Sequence, residues 1–161
     1  MNREIILAGG CFWGLQNLIR KQPGVLNTVV GYTGGETKDP SYRNHEGHAE
    51  AVLIEFNENE TSYIKILDFF FQIHNPTTLN QQGNDKGESY RSAIFYKNQK
   101  EENEARNFID IVNKSKRWKE PVVTTLEKFR EFYPAEDYHQ DYLLKNPGGY
   151  TCHSIYFDSY L

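Results

Sequence analysis

The chain of 161 residues has the length of one domain, here 1–161, and 14% of its residues are aromatic, which is enough to build a core without disulfide staples. Its net charge of −4 argues against a basic face that binds nucleic acid. No apolar run approaches the about 18 residues that span a membrane, and the N-terminus does not resemble a signal peptide. With only two cysteines, we expect a cytoplasmic monomer in a reducing compartment.

Hydrophobic periodicity predicts alternating short strands and amphipathic helices. In chain order, we predict a strand at 4–8, a helix at 12–21, strands at 25–32 and 50–56, a helix at 62–74, a strand at 91–97, a helix at 100–118, a strand at 120–129, a short helix at 136–144 and an irregular tail from 146. The initial β-α-β-β-α-β order is that of the split βαβ unit. We therefore expect an α+β, two-layer sandwich built on this ferredoxin-like unit, with a long irregular C-terminal tail.

The most informative segment is GGCFWG at 9–14, which joins the first predicted strand to the first helix. Cys11 would then lie at the helix N-terminus, where free N–H groups and the helix dipole stabilise an anion. This position predicts a lowered thiol pKa and a nucleophilic thiolate, although a buried, inert cysteine is the alternative. Phe12 and Trp13 are expected to be exposed and to bind an apolar group, but packing of the first helical turn explains them equally well.

The second cysteine, Cys152, follows a glycine-rich segment near the end of the chain. Flexibility there would allow it to reach Cys11, and an unrelated exposed thiol is an equally good explanation. The cysteine spacing excludes a Cys-x-x-Cys redox or zinc motif, and HEGH at 45–48 lacks the i, i+4 histidine pair of a zinc protease. The glycines do not form a dinucleotide-binding fingerprint.

A series of short motifs resembles the methionine sulfoxide reductase A family over nearly the whole chain. The motifs are GCFWG at 10–14, GYTGG at 31–35, YR at 42–43, GHAEA at 47–51, QGND at 82–85, YRSAI at 90–94, AEDYHQ at 135–140 and KNP at 145–147. Enzymes of this class reduce one epimer of methionine sulfoxide. The resemblance implies a thiol-dependent oxidoreductase that acts on the S epimer, free or in peptides.

The resemblance also implies roles for individual residues. Cys11 corresponds to the nucleophile that attacks the sulfoxide sulfur. Glu50 corresponds to the acid that protonates the oxygen, and this role requires burial to raise its pKa. Phe12 and Trp13 correspond to apolar walls around the S-methyl group.

Three further residues correspond to polar groups of the same site. Tyr42 and Tyr90 match hydroxyl groups that bind the sulfoxide oxygen, and Asp85 matches a loop carboxylate. Taken singly, each tyrosine is more often a half-buried packing residue. The loop between Tyr42 and Glu50 is shorter than in many members of the family.

In this family the oxidised nucleophile, a sulfenic acid, condenses with a second thiol to form a disulfide. The resemblance makes Cys152 the resolving cysteine and thioredoxin the external reductant, with no metal or organic cofactor. Many members relay the disulfide to a further cysteine in the tail. None follows Cys152 here, so we expect the reductant to reach the Cys11–Cys152 disulfide directly.

Two other functions stay open on sequence grounds. Cys11 with His139 or His153 as base would make a cysteine hydrolase or acyltransferase, which turns over without added thiol. A Cys11–Cys152 disulfide without catalysis would make a redox sensor. Neither function would consume sulfoxide catalytically.

Overall fold

The computed structural model describes the whole chain, Met1–Leu161. Its elements in chain order are β1 (Asn2–Gly9), α1 (Phe12–Ile19), β2 (Val25–Thr33), β3 (Ala49–Asn57), α2 (Tyr63–Ile73), β4 (Gln81–Gln82), β5 (Asp85–Lys86), β6 (Ser92–Tyr96), α3 (Gln99–Ser115), β7 (Thr125–Lys128), β8 (Phe132–Pro134) and α4 (Tyr142–Lys145). Two 3-10 turns, at Glu88–Tyr90 and Asp137–His139, precede β6 and α4. None of the helices is long and apolar enough to cross a membrane.

Six strands form one mixed sheet in the order β7-β6-β1-β3-β2-β8. The long pairings of β1 with β3 and of β3 with β2 are antiparallel, and the second of them places Glu50 opposite Tyr32. β7 runs parallel to β6, which it reaches after the crossover through α3. A mixed sheet combined with helices confirms the α+β class expected from the sequence.

The alternation of side chains along the strands gives the sheet two different faces. On one face, α1, α2 and α3 pack against large apolar residues in a core that includes Ile54, Phe70 and Phe108. The other face carries small residues such as Ala51. Glu50 lies on the helix-covered face because it is an even number of positions from Ile54 on the same strand. The fold therefore directs this carboxyl group into the interior, towards the helices.

Two of the long helices begin at side-chain caps, whereas α1 does not. Ser62 and Asn98 cap α2 and α3 by accepting hydrogen bonds from backbone N–H groups in the first turn. Cys11, at the N-cap position of α1, makes no such bond. The N–H groups of the first turn of α1 are therefore left for other partners.

The second half of the chain departs from the sequence prediction. The strand predicted at 120–129 is limited to β7, and the helix predicted at 136–144 is a 3-10 turn followed by the single turn of α4. The prediction does not contain β8 or the paired two-residue strands β4 and β5. Such short strands form through contacts with residues distant in sequence, which local patterns do not encode.

After α4 the chain has no helix or strand, but side-chain contacts hold its end. The carboxylate of Asp68 accepts from the hydroxyl of Ser159 at 2.7 Å and from the N–H of Tyr160 at 2.8 Å. The N–H of Tyr156 donates to the carbonyl of Gln72 at 2.8 Å. The segment 146–155 is therefore a loop held at both ends, and it carries Cys152.

Candidate active site

Cys11 lies where β1 passes into α1, as predicted. The turn depends on Gly10, which has φ of +97°, and a Cβ at this position would lie 2.6 Å from the side chain of Gln82. Cys11 takes the N-cap position of the helix and is 7% exposed. The local backbone therefore fixes the sulfur at the helix N-terminus and nearly encloses it.

Glu50, near the start of β3, meets the first turn of α1. Its Oε1 accepts the N–H of Phe12 at 3.2 Å, whereas its Oε2 is buried without a hydrogen-bond partner. Burial raises the pKa of Glu50 to about 8; the N–H of Phe12 opposes this shift and the carboxylate of Asp85 adds to it. A carboxyl group with this pKa is mostly protonated at neutral pH and can donate a proton.

The predicted thiolate at Cys11 is wrong for this state of the protein. Burial raises the pKa of the Cys11 thiol far above its usual value, and Glu50, which is a carboxylate above about pH 8, raises it further by repulsion. The N–H of Trp13 lowers it by a smaller amount, and Asp85 and Cys152 add further repulsion. The helix N-terminus stabilises a thiolate, but this effect is outweighed because the sulfur is enclosed and the neighbouring ionisable groups are acidic.

Tyr42 and Tyr90 lie close to the same thiol and carboxyl group. Burial raises the pKa of both tyrosines, and Glu50 and Cys11 add to the shift in each case. The nearby hydroxyl of Tyr42 also raises the pKa of Tyr90. Neither hydroxyl group forms a hydrogen bond within the chain, so both are free to bind a polar group that enters the site.

Of the two aromatic residues in the GGCFWG segment, only Trp13 reaches the surface. Phe12 is fully buried, and its ring centroid lies 5.7 Å from that of Tyr32 and 5.2 Å from that of His139. The expectation that Phe12 is exposed is therefore wrong, because helical spacing turns it towards the core. Trp13 is half-buried and stacks on Tyr142 with ring centroids 3.9 Å apart.

His139 and Glu136 form hydrogen bonds that position the aromatic residues of the site, a role that the sequence did not indicate. The indole N–H of Trp13 donates to Nδ1 of His139 at 2.9 Å, so Nε2 of the neutral ring carries the proton, and it is buried without a partner. Glu136 accepts from the hydroxyl of Tyr32 at 2.9 Å and from the N–H of Tyr42 at 3.1 Å. The AEDYHQ motif contains both residues and is the signal that could have indicated them.

The C-terminal loop crosses the first turn of α1 and brings Cys152 to the site. A Cβ on Gly14 would come within 2.4 Å of the His153 ring, so this close passage requires glycine. The thiol of Cys152 donates to Oδ2 of Asp85 at 3.6 Å. Burial raises the pKa of this thiol, whereas the nearby N–H of Cys11 lowers it. Both cysteines are free thiols.

Neither histidine considered as a hydrolase base forms a hydrogen bond to Cys11. His139 accepts the indole N–H of Trp13, and His153 donates from Nε2 to the carbonyl of Gly9 at 2.6 Å. The site therefore pairs the Cys11 thiol with a carboxyl group and a second thiol. The cysteine hydrolase suggested by sequence spacing lacks its base.

A thiol at a helix N-terminus, a protonated acid and a second thiol define the protein as a thiol-dependent oxidoreductase. The sequence matches the family described as Peptide methionine sulfoxide reductase over residues 3–159. The peptide methionine sulfoxide reductase MsrA of Nocardia farcinica is 57% identical over 151 residues, which cover 94% of this chain and 89% of that protein. The chain belongs to the peptide methionine sulfoxide reductase family, as its motifs predicted.

Solved structures show the same fold. Mxr1 from Saccharomyces cerevisiae in reduced form matches with a TM-score of 0.89 and 35% identity, covering 96% of this chain and 92% of Mxr1. Mxr1 in complex with Trx2 matches with a TM-score of 0.67 and 26% identity, covering 96% of this chain and 89% of Mxr1. Mxr1 in unusual oxidized form matches with a TM-score of 0.72, so this chain, whose two thiols are free, is more similar to the reduced form than to that oxidized form.

The pKa of Glu50 predicts a pH-dependent effect on stability. Between about pH 4.5 and about pH 8 the unfolded chain has lost this proton and the folded chain retains it, so stability falls as the pH rises. Glu50→Gln has no such proton to lose, so its free energy of unfolding should not show this fall. We expect the difference in free energy of unfolding between Glu50→Gln and the unsubstituted protein to shift by roughly 1–3 kcal/mol in favour of the variant as the pH is raised across this range. Urea unfolding at both ends of the range measures the change.

Glu55→Gln is the control for this prediction, because Glu55 lies on the same strand and is partly exposed on the opposite face. The pH-dependent gain should appear for Glu50→Gln alone. A difference between Glu50→Gln and the unsubstituted protein that stays constant with pH would show that Glu50 does not keep its proton on folding.

Proposed function

We propose that the protein reduces the S epimer of methionine sulfoxide, free or in peptides, to methionine. One observation carries the proposal: the protonated carboxyl group of Glu50 is bound to the first turn of α1, next to Cys11. Reduction of a sulfoxide needs a sulfur nucleophile and a proton donor to the oxygen at the same centre. Family membership supplies the substrate class, and the resemblance to the A-type enzymes supplies the epimer.

In the first step, Sγ of Cys11 attacks the sulfoxide sulfur while Glu50 donates its proton to the oxygen. The sulfoxide S–O bond breaks and the hydroxyl group is transferred to Cys11, so methionine leaves and a Cys11 sulfenic acid remains. One electron pair passes from the Cys11 sulfur to the substrate sulfur, so the Cys11 sulfur is oxidised and the substrate sulfur is reduced. Glu50 takes up the proton that the Cys11 thiol loses and is protonated again. Because Glu50 is neutral until it donates its proton, it does not repel the sulfur of Cys11 when the attack begins.

Three residues bind the substrate in this proposal. The free hydroxyl groups of Tyr42 and Tyr90 bind the sulfoxide oxygen, which is a strong hydrogen-bond acceptor. Trp13 contacts the S-methyl group, and its stacking and its hydrogen bond hold the indole ring in place. Phe12 supports this wall from the interior, since its full burial leaves no surface for the substrate.

In the second step, Cys152 attacks the sulfenic acid and forms the Cys11–Cys152 disulfide. Asp85 supports this role by accepting the hydrogen bond of the Cys152 thiol. Thioredoxin then reduces the disulfide, in line with the complex of the yeast protein Mxr1 with Trx2. The neighbouring side chains of Tyr150 and Ile155 are exposed and offer apolar surface for the reductant.

We also propose a cytoplasmic monomer of one domain, 1–161, that works without a metal or organic cofactor. The two thiols and an external thiol reductant account for every electron in the cycle. Apart from the two-residue strands β4 and β5, the segment from β1 to β6 has the element order of the split βαβ unit, and its other four strands adopt the spatial order β6-β1-β3-β2. β7, β8 and the irregular tail are additions to this ferredoxin-like core.

The two epimers of a methionine sulfoxide peptide, each supplied with dithiothreitol, test the proposed function. We expect release of methionine from the S epimer only, and at least a roughly 1,000-fold loss of that rate in Cys11→Ser, because the hydroxyl is a much weaker nucleophile. Chromatography of the products measures both rates. Equal turnover of the R epimer, or full activity of Cys11→Ser, would defeat the proposal.

Replacement of the resolving cysteine tests the second step. We expect Cys152→Ser to release one equivalent of methionine and then to stop when thioredoxin is the only reductant, because the sulfenic acid is not converted to a disulfide. A single-turnover assay followed by a thioredoxin-coupled assay measures the two phases. Sustained turnover of Cys152→Ser with thioredoxin would remove Cys152 from the cycle.

A further inference from the structure

His153 is a buried side chain that the first step does not use. It lies in the C-terminal loop directly after Cys152, against the first turn of α1, and is 8% exposed. Its Nε2 lies 2.6 Å from the carbonyl oxygen of Gly9. Since a carbonyl oxygen only accepts hydrogen bonds, Nε2 carries the proton of the neutral ring. Nδ1 is then left with a free lone pair.

That free nitrogen faces the resolving thiol. Nδ1 of His153 lies 3.9 Å from Sγ of Cys152, within the range of a hydrogen bond to sulfur. The N–H of His153 also donates to the hydroxyl oxygen of Thr151 at 3.1 Å. Two fixed contacts, one from the ring and one from the backbone, therefore aim the imidazole at the thiol of the neighbouring residue.

The second step requires a base at this place. A thiol attacks a sulfenic acid as the thiolate, but burial raises the pKa of the Cys152 thiol and the carboxylate of Asp85 raises it further. Very little thiolate forms at neutral pH without a group that takes the proton. A neutral imidazole is the side chain best matched to that task near pH 7.

We propose that Nδ1 of His153 is the general base that deprotonates Cys152 for attack on the Cys11 sulfenic acid. The S–H bond of Cys152 and the S–O bond of Cys11 break, and the S–S bond forms. The proton moves to Nδ1, and the departing hydroxide takes a proton from Glu50 and leaves as water. The Cys152 sulfur is oxidised and the Cys11 sulfur is reduced. This inference rests on the proposed function, because it needs the sulfenic acid.

The charged and titratable groups around His153 favour this role. Burial lowers the pKa of His153, so the ring is neutral and can accept a proton, and the Gly9 carbonyl and Asp85 restore part of its basicity by opposing that shift. Asp85 would also stabilise the imidazolium once it forms. His74 is buried, and both its burial and the nearby His153 lower its pKa, so it is neutral as well.

Asp85 is the rival base, because its Oδ2 lies 3.6 Å from the Cys152 sulfur. The hydroxyl of Tyr150 donates to the same oxygen at 3.2 Å, which weakens it as a proton acceptor. In general, a carboxylate is also a much weaker base than an imidazole and is therefore less able to take a proton from a thiol. Asp85 therefore holds the thiol at rest, and the S–H bond must turn from Asp85 to Nδ1 of His153, which then removes the proton.

Single-turnover kinetics on the full chain separate the steps. Reduced protein is mixed with one equivalent of S sulfoxide peptide; methionine release reports the first step, and thiol alkylation with mass spectrometry reports disulfide formation. In the unsubstituted protein, we expect the rate of disulfide formation to be nearly independent of pH above the pKa of His153. In His153→Gln, whose amide can still donate to Gly9, we expect a loss of at least about tenfold at pH 7 and a rate that rises about tenfold per pH unit.

Two further variants complete the test. Ser154→Ala, an exposed neighbour in the same loop, should keep the rate and the pH profile of the unsubstituted protein. Asp85→Asn should keep the flat profile, even if it is slower. If the rate of disulfide formation rises with pH in Asp85→Asn but is high and independent of pH in His153→Gln, Asp85 is the base and the proposal is overturned.

The methionine burst distinguishes the two levels of the proposal. If His153→Gln releases methionine, its first step is intact, and its rate of disulfide formation then decides the role of His153. If this variant releases no methionine, His153→Asn is measured instead. If no variant and not even the unsubstituted protein releases methionine, the proposed function fails and the role of His153 falls with it. A burst followed by disulfide formation at the unsubstituted rate in both histidine variants overturns the role of His153 alone.

Discussion

A carboxyl group enclosed between β3 and α1 sets the chemistry of this protein. Glu50 satisfies one oxygen with the N–H of Phe12 and leaves the other without a partner, an arrangement that penalises the charged form. Protonation removes that penalty, and the retained proton is the one that the oxygen of a sulfoxide needs. The buried position therefore costs stability and supplies an acid that works near neutral pH.

The same enclosure keeps Cys11 protonated at rest, so the nucleophile and the acid are both neutral until the substrate enters. A thiol in this state reacts slowly with general oxidants. The second thiol reaches the first because Gly14 leaves room for the C-terminal loop to cross α1. Contacts of Tyr156 and Asp68 hold the far end of the loop. These contacts keep Cys152 near the site.

The sequence predicts the elements that local patterns determine. β1 and α2 have a clear hydrophobic period and lie where they are expected, whereas β8 depends on pairing with distant β2. The motifs identify Cys11 and Glu50, but not the protonation of Cys11, because that follows from burial in the assembled fold. Phe12 shows the same limit: its exposure depends on the rotation of α1 on the sheet. His153 was considered as a base for Cys11, and only the folded loop shows that it faces Cys152.

The protonation state of Glu50 can be measured directly by NMR titration of protein labelled with ¹³C at the glutamate carboxyl groups. Glu50→Gln assigns the signal by removing it. We expect the Glu50 carboxyl to titrate with a midpoint near 8. A midpoint below about 5, in the ordinary range of glutamate, would contradict this account, because the side chain would be ionised at neutral pH and would have no proton to give.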